Sequence, residues 1–253
     1  MKTAIITGAS SGLGIRFVEQ LKAQFPEIEE VWLIARRRER LENLAAACAA
    51  QFSAHILPLD LCCADSFDTL RRELELRQPD VALLVNNAGC GYLGNIAEST
   101  AEKQLRMTEL NVSALTAVTT LVLPYMRRGS HIINVSSIAS FCPNPRMTVY
   151  SSTKAYVSSF TRGLSEELRP LGIGVTATCP GPMDTEFLDA AGISGNSKTF
   201  DMLPRSIDSE VVRQVYRAAK RGRVFCTPGA FFKLFRLLAK LLPQRLMVKF
   251  TKT

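Results

Sequence analysis

At 253 residues, 47% hydrophobic and 21% charged, the chain is long enough to bury a core without disulfide or metal staples, and its composition excludes disordered, collagenous and disulfide-scaffold classes. The formal charge of +8 is lopsided: residues 211–253 hold 11 Lys+Arg and no Asp or Glu, against 20 basic and 23 acidic residues upstream. That argues against a chain-wide nucleic-acid surface. Seven cysteines without paired CxxC spacing, and only two histidines, predict free thiols, no zinc site and a reducing, cytoplasmic setting.

The apolar run at 3–7 predicts a buried strand that passes directly into a glycine turn, so no signal peptide is expected there, and no stretch of 18 apolar residues suggests a membrane-spanning helix. The turn reads Thr7-Gly8-Ala9-Ser10-Ser11-Gly12-Leu13-Gly14 and opens a helix over 15–24. Glycines at 8, 12 and 14 let a strand bend sharply into a helix whose free amides face an anion, which suits a dinucleotide pyrophosphate. A second strand at 31–35 ends in Ala35-Arg36-Arg37-Arg38, where an NAD site would place a carboxylate for the ribose 2′-hydroxyl. Arginine there can grip a 2′-phosphate bidentately, so NADP(H) is expected over NAD(H), with Arg36 the leading residue and Arg37 beside it.

A helix over 39–51, a strand at 55–59, a helix over 66–76 and a strand at 81–85 follow. The third strand ends in Asp60-Leu61 and the fourth in Asn86-Asn87-Ala88-Gly89, both at the carboxyl edge where open parallel sheets bind ligands. A helical pattern over about 100–127 leads to a strand at 131–135, a helix over 151–168 and a strand at 175–179. Apolar strands separated by helices predict a doubly wound α/β domain with a mainly parallel sheet. Residues 182–209 read as a lid rather than a domain boundary, leaving 1–253 as a single domain.

Ser137 follows the fifth strand, Tyr150 lies thirteen residues on, and Lys154 four further. In a helix Tyr150 and Lys154 share a face, and the ammonium is expected to lower the phenol's pKa. Tyr216 and Lys220 repeat the spacing without a preceding strand-end serine, and are read as surface helix.

In this order the motifs TGASSGLG, Asp60, NNAG, Asn111, Ser137, YxxxK and Pro180-Gly181 with Thr185 resemble the short-chain dehydrogenase/reductase family across about residues 3–185. The resemblance implies a Rossmann-type sheet of seven strands, an NAD(P)-dependent enzyme acting on alcohol and carbonyl groups, and a homodimer or homotetramer. Tyr150 would be the general acid in ketone reduction and the base in alcohol oxidation. Lys154 would bind the nicotinamide ribose, Ser137 the substrate oxygen, and Asn111 would support a water-mediated proton relay. The cofactor would lie along Gly8, Ser10 to Gly14, Asp60 and Leu61 (adenine side), Asn87 to Gly89 (ribose side), and Pro180, Gly181 and Thr185 (nicotinamide side). NADP-preferring relatives also carry a cation before the second turn glycine, where this chain has Ser11.

The substrate is expected to be a lipophilic carbonyl compound, steroid-like, 3-oxoacyl or aromatic, because Phe187, Leu188, Ile193, Phe200, Met202 and Leu203 make the lid apolar while Cys142, Pro143 and Met147 follow the serine. Phe187 and Cys142 are the named substrate contacts. Oxidative NAD-dependent alcohol or hydroxysteroid dehydrogenation, and a catalytically silent NADP-binding scaffold, remain open. The segment 230–250 predicts a basic amphipathic helix with Phe231, Phe232, Phe235, Leu238 and Leu242 among Lys233, Arg236 and Lys240. Such a helix can touch an anionic membrane weakly, cap the cleft or pack against a second subunit; no nucleic acid partner is expected.

Overall fold

Branched aliphatic runs too apolar to face water set the centre of the fold. The computed structural model describes residues 1–251, so the last two residues of the expected domain lie outside the described residues. Strands β1 (Lys2–Thr7), β2 (Glu30–Ile34), β3 (Ser53–Leu57), β4 (Asp80–Asn86), β5 (Met126–Val135), β6 (Gly174–Thr178) and β7 (Phe225–Cys226) form one sheet in the order β3-β2-β1-β4-β5-β6-β7. Every neighbouring pair is parallel, as in Ile6 against Leu33 on one side and Val85 on the other. Successive strand residues alternate faces. Ile6, Leu33, Val85 and Ile133 therefore bury beneath Phe17 and Val18, while Ile5, Trp32, Leu84 and Ile132 bury beneath Leu70, Val118 and Leu164.

The chain runs from β1 outward to β3, then returns to β4 on the other side of β1. Connections leaving in opposite directions open a crevice at the strands' carboxyl ends, and the two longest helical segments deliver side chains to it. The first is a helix at Ala101–Thr108, a π-helical turn at Glu109–Ala114 and a helix at Leu115–Val122. It ends at Tyr125, earlier than the expected 127, because Pro124 draws the last turn into a 3-10 segment and Met126 already pairs with Val81. The second helix, Thr148–Leu168, carries the YxxxK motif.

The lid contains short helices at Glu186–Ala190 and Lys198–Met202. Leu188 and Ile193 turn inward to pack with Met107, Met147 and Tyr150, whereas Met202 is exposed. The C-terminal segment is not one helix: Pro243 divides it into Ala230–Leu241 and Gln244–Phe250.

Tyr216 corrects the surface reading of the second YxxxK pair. It lies on the helix Asp208–Lys220 but is fully buried, edge-on to Phe17 and Phe25, and its hydroxyl donates to the Phe17 carbonyl at 2.7 Å. Lys220 stays at the rim, 4.9 Å from the Phe25 ring centroid. Spacing alone is silent about which face of a helix meets the core. Tyr216→Phe is expected to lower the unfolding free energy by about 1–3 kcal/mol, because a buried carbonyl loses its donor; urea melts should show the midpoint fall at unchanged slope.

Candidate active site

The glycine turn is shaped by close approach. A Cβ at Gly14 would sit 2.1 Å from the Gly8 carbonyl oxygen, and Gly8, at φ +65°, would press one to 2.8 Å from Asn87 Nδ2. Only glycine fits both places. The turn is clasped to β4 from two sides. Thr7 Oγ1 accepts the backbone N–H groups of Asn87 and Ala88 at 3.0 Å each, and Asn87 Nδ2 donates to the carbonyls of Thr7 and Gly8 at 3.1 Å each. The Asn87 amide thus serves as a brace in this structure. Leu13 and Leu61, expected along the cofactor, have their side chains buried in the core on opposite faces of the sheet.

The arginine run divides its work. Arg37 reaches the turn, donating to Ser10 Oγ at 3.3 Å and the Ser10 carbonyl at 3.2 Å, and pairs with Glu186 at 2.9 Å. Arg40 pairs with the other oxygen of Glu186 at 2.5 Å. Together Arg40 and Arg37 hold the Glu186 carboxyl below its ordinary range. Arg36 is exposed and makes no such bond, but its charge acts on Asp60 and Cys90. Burial pushes the Asp60 carboxyl up, yet the Cys62 N–H and the Arg106 guanidinium, bonded at 3.1 Å each, outweigh it and bring it below the ordinary value.

At the carboxyl ends of β4 and β5 a buried polar ladder replaces the aliphatic core. Asn86 Nδ2 donates to Thr119 Oγ1 and to Asn134 Oδ1, and Asn134 Nδ2 donates to Thr161 Oγ1, all at 2.9 Å. Ser136 Oγ donates to the Lys154 carbonyl at 2.9 Å. These bonds tie the helix Thr148–Leu168 to the sheet, and with it Tyr150 and Lys154. Lys154 Nζ donates to the Val135 carbonyl at 2.8 Å and lies 5.8 Å from the Tyr150 ring centroid. Ser137, Tyr150 and Lys154 are all buried.

The expected lowering of the Tyr150 pKa is not what the structure gives. Burial pushes the phenol up to about 12, with Ser137 opposing the rise as a hydrogen-bond partner. Burial likewise brings the Lys154 ammonium down to about 8. Asn111 sits in the π-helical turn with its amide fully used, donating to the Cys90 carbonyl at 2.8 Å and Thr153 Oγ1 at 3.0 Å, and accepting from the Cys90 N–H at 2.9 Å. A Cβ on Gly89 would lie 3.1 Å from Asn111 Oδ1 and 3.5 Å from Lys154 Nζ, so this backbone threads between the two.

Phe187 lies over Tyr150, with ring centroids 5.6 Å apart, and the two rings close on Gly91. Cys142, expected beside the substrate, instead turns into the C-terminal helices with Ala239 and Met247, its thiol 3.9 Å from Thr251 Oγ1. Gly181 is covered by Phe232: a Cβ there would lie 2.1 Å from the ring. Pro180 is buried with it, and its carbonyl accepts the Ile138 N–H at 3.1 Å, joining the β6 end to the segment after Ser137. Thr185 stands against Gly12, 3.4 Å from where its Cβ would be. Thr7, Arg40, Glu186 and Phe232 were not singled out from sequence as parts of the site. Thr7 and Glu186 adjoin residues that were, whereas Arg40 looks like one more surface cation in a charged helix start.

The residues fit a nicotinamide dinucleotide. Glycines at 8, 12 and 14 let the turn pass close to Asn87, Thr185 and its own backbone at the helix start, Lys154 spends one of its three donors on Val135, and the arginine corner offers cations beside Ser10. Among the described residues no group of three or more His, Cys, Asp and Glu could hold a metal ion.

Comparison with known proteins agrees with this geometry. Residues 2–193 match the family described as short chain dehydrogenase. An uncharacterized oxidoreductase of Bacillus subtilis, YusZ, is 37% identical over 191 residues, covering 73% of this chain and 66% of that protein. A short-chain dehydrogenase from Sphingobium yanoikuyae in complex with NADPH superposes with a TM-score of 0.80 at 28% identity, over 96% of this chain and 97% of that one. A short chain dehydrogenase/reductase from Burkholderia phymatum in complex with NAD shares the fold, with a TM-score of 0.80 at 24% identity over 94% and 93% of the two chains. The chain belongs to the short-chain dehydrogenase family and is an NAD(P)-dependent dehydrogenase/reductase.

Proposed function

We propose that the protein uses NADP(H) to reduce a lipophilic ketone or aldehyde to an alcohol, with Tyr150 as general acid. The observation that carries this reading is the buried group of Ser137, Tyr150 and Lys154 beneath Phe187. When bound, the nicotinamide supplies or accepts the hydride. Tyr150, held protonated by burial, is suited to deliver its hydroxyl proton to the developing alkoxide. The Ser137 hydroxyl is placed to donate to the same oxygen as charge builds on it. Lys154 orients the ribose with its remaining donors, and while protonated favours the phenolate left behind. Asn111 pins the Cys90 loop that passes Lys154. Phe187, Leu188 and Ile193 keep water from the phenol and support an apolar substrate. The same residues run the oxidative direction when Tyr150 is ionised.

Tyr150→Phe is expected to reduce turnover by about 10²- to 10⁴-fold while NADPH affinity holds. The pH profiles should differ by direction. Reduction needs the protonated phenol, which persists from pH 6 to 9, so its rate changes only near pH 8, where Lys154 loses its charge. Oxidation needs the phenolate, so its rate climbs across that interval. A level oxidative profile would remove Tyr150 from the proton step.

The NADP(H) preference rests on Arg36 and Arg37 at the end of β2. Glu186 favours a second reading, NAD(H)-dependent alcohol oxidation, because its carboxylate holds Arg37 and Arg40 and opposes a 2′-phosphate. Titration with NADPH and NADH, followed by nicotinamide fluorescence, separates the two. Arg36→Ala and Arg37→Ala should each weaken NADPH binding about tenfold or more, the value of a lost charge-assisted bond, and leave NADH little changed. Glu186→Gln should strengthen NADPH alone. Tighter NADH binding by the unaltered protein would give the second reading precedence.

A further inference from the structure

The helix Ala230–Leu241 has two apolar faces. One is seated on the body: Phe232 closes over Gly181, Ala239 packs on Cys142, and Arg236 lies over the Phe141 and Phe225 rings. The other is turned outward. Phe231, Leu234, Leu238 and Leu241 recur at helical spacing along it and are 39–69% exposed, and Leu242 and Leu246 extend the patch onto the next helix. Packing on the body requires only the first face. An exposed apolar strip of this length on a folded enzyme marks an interaction surface.

Charge identifies what it meets. Lys233, Lys240, Arg245 and Lys249 are exposed along the same two helices, and no acidic residue occurs from position 211 onward to balance them. A second copy of this chain meeting the strip across a two-fold axis would bring these cations against their own images. An anionic lipid surface takes the leucines into its headgroup boundary and the ammonium and guanidinium groups onto its phosphates. We propose that the outward face of the two C-terminal helices is a docking surface for anionic membranes, on which the enzyme lies without inserting. No helix among the described residues is long and apolar enough to span a bilayer, so the contact is peripheral. The inner face of the same helix packs on the segments that follow Ser137 and β6, so docking brings the bilayer to the side of the fold that frames the catalytic group.

The full chain is floated with vesicles of phosphatidylcholine alone and of phosphatidylcholine with a quarter phosphatidylglycerol, at low and high salt. Binding to the anionic vesicles only, falling with salt, is the expected result. Leu234→Gln with Leu241→Gln should abolish it, and Lys240→Gln should weaken it about fivefold, the contribution of one basic residue near such a surface. All three positions are exposed, so far-UV circular dichroism and NADPH affinity should match the parent, which separates this test from the proposed catalytic reading. Equal binding to neutral vesicles or none to either would overturn the proposal. So would a dimer, seen by analytical ultracentrifugation, that the leucine variant dissociates while vesicle binding is absent.

Discussion

The position of the catalytic helix depends on a polar ladder inside an otherwise aliphatic sheet. Buried amides and hydroxyls are costly unless paired, and the pairing between Asn86, Asn134, Thr119 and Thr161 is specific in direction. It joins β4 and β5 to one another and to the helices on one face of the sheet. Slippage of the helix Thr148–Leu168 along β5 would break the Asn134–Thr161 bond and those made by Ser136 and Lys154 together. Aliphatic packing alone would tolerate a sliding adjustment far more readily. The ladder grips the helix at Thr161, and the same helix carries Tyr150; placement of that phenol is where precision matters for chemistry.

Burial acts on Tyr150 and Lys154 in opposite senses with one result: each is drawn towards its neutral form. Water exclusion beneath Phe187 therefore stores the proton on the phenol and weakens the cation that would help release it. On the proposed reading that arrangement favours the reductive direction, because the donor is loaded at neutral pH. In the oxidative direction the phenolate needs compensation, and the Lys154 ammonium and Ser137 hydroxyl are the two groups positioned to provide it. The two directions make unequal electrostatic demands on one fixed set of residues.

The parallel sheet, six of its seven strands and the chemistry-bearing positions are legible because they rest on local signals: continuous apolar strands, glycines where no Cβ fits, and i, i+4 spacing on a helix. What was not legible depends on which face a residue presents. Tyr216 matched a catalytic spacing at the surface by pattern, yet its helix rolls that ring beneath Phe17. Cys142 follows the catalytic serine by five positions, but the chain turns there and aims the thiol at the tail. The direction of the Tyr150 shift is not legible because sequence shows the neighbouring cation and not the depth of burial. β7, only two residues long, leaves almost no periodicity to detect.

Three consecutive residues tie the lid to every part of the site. Thr185 stands over Gly12, Glu186 binds Arg37 and Arg40, and Phe187 lies over Tyr150. Because they are adjacent at the start of one short helix, displacement of one strains the contacts of the other two. An anion arriving at the arginines meets Glu186 already bound there, one residue from the ring that covers the phenol. The ion pairs are about half-exposed and individually weak, so breaking them costs the fold little. A single turn of chain thus touches the glycine turn, the arginine corner and the phenol, and none of these three contacts passes through the sheet.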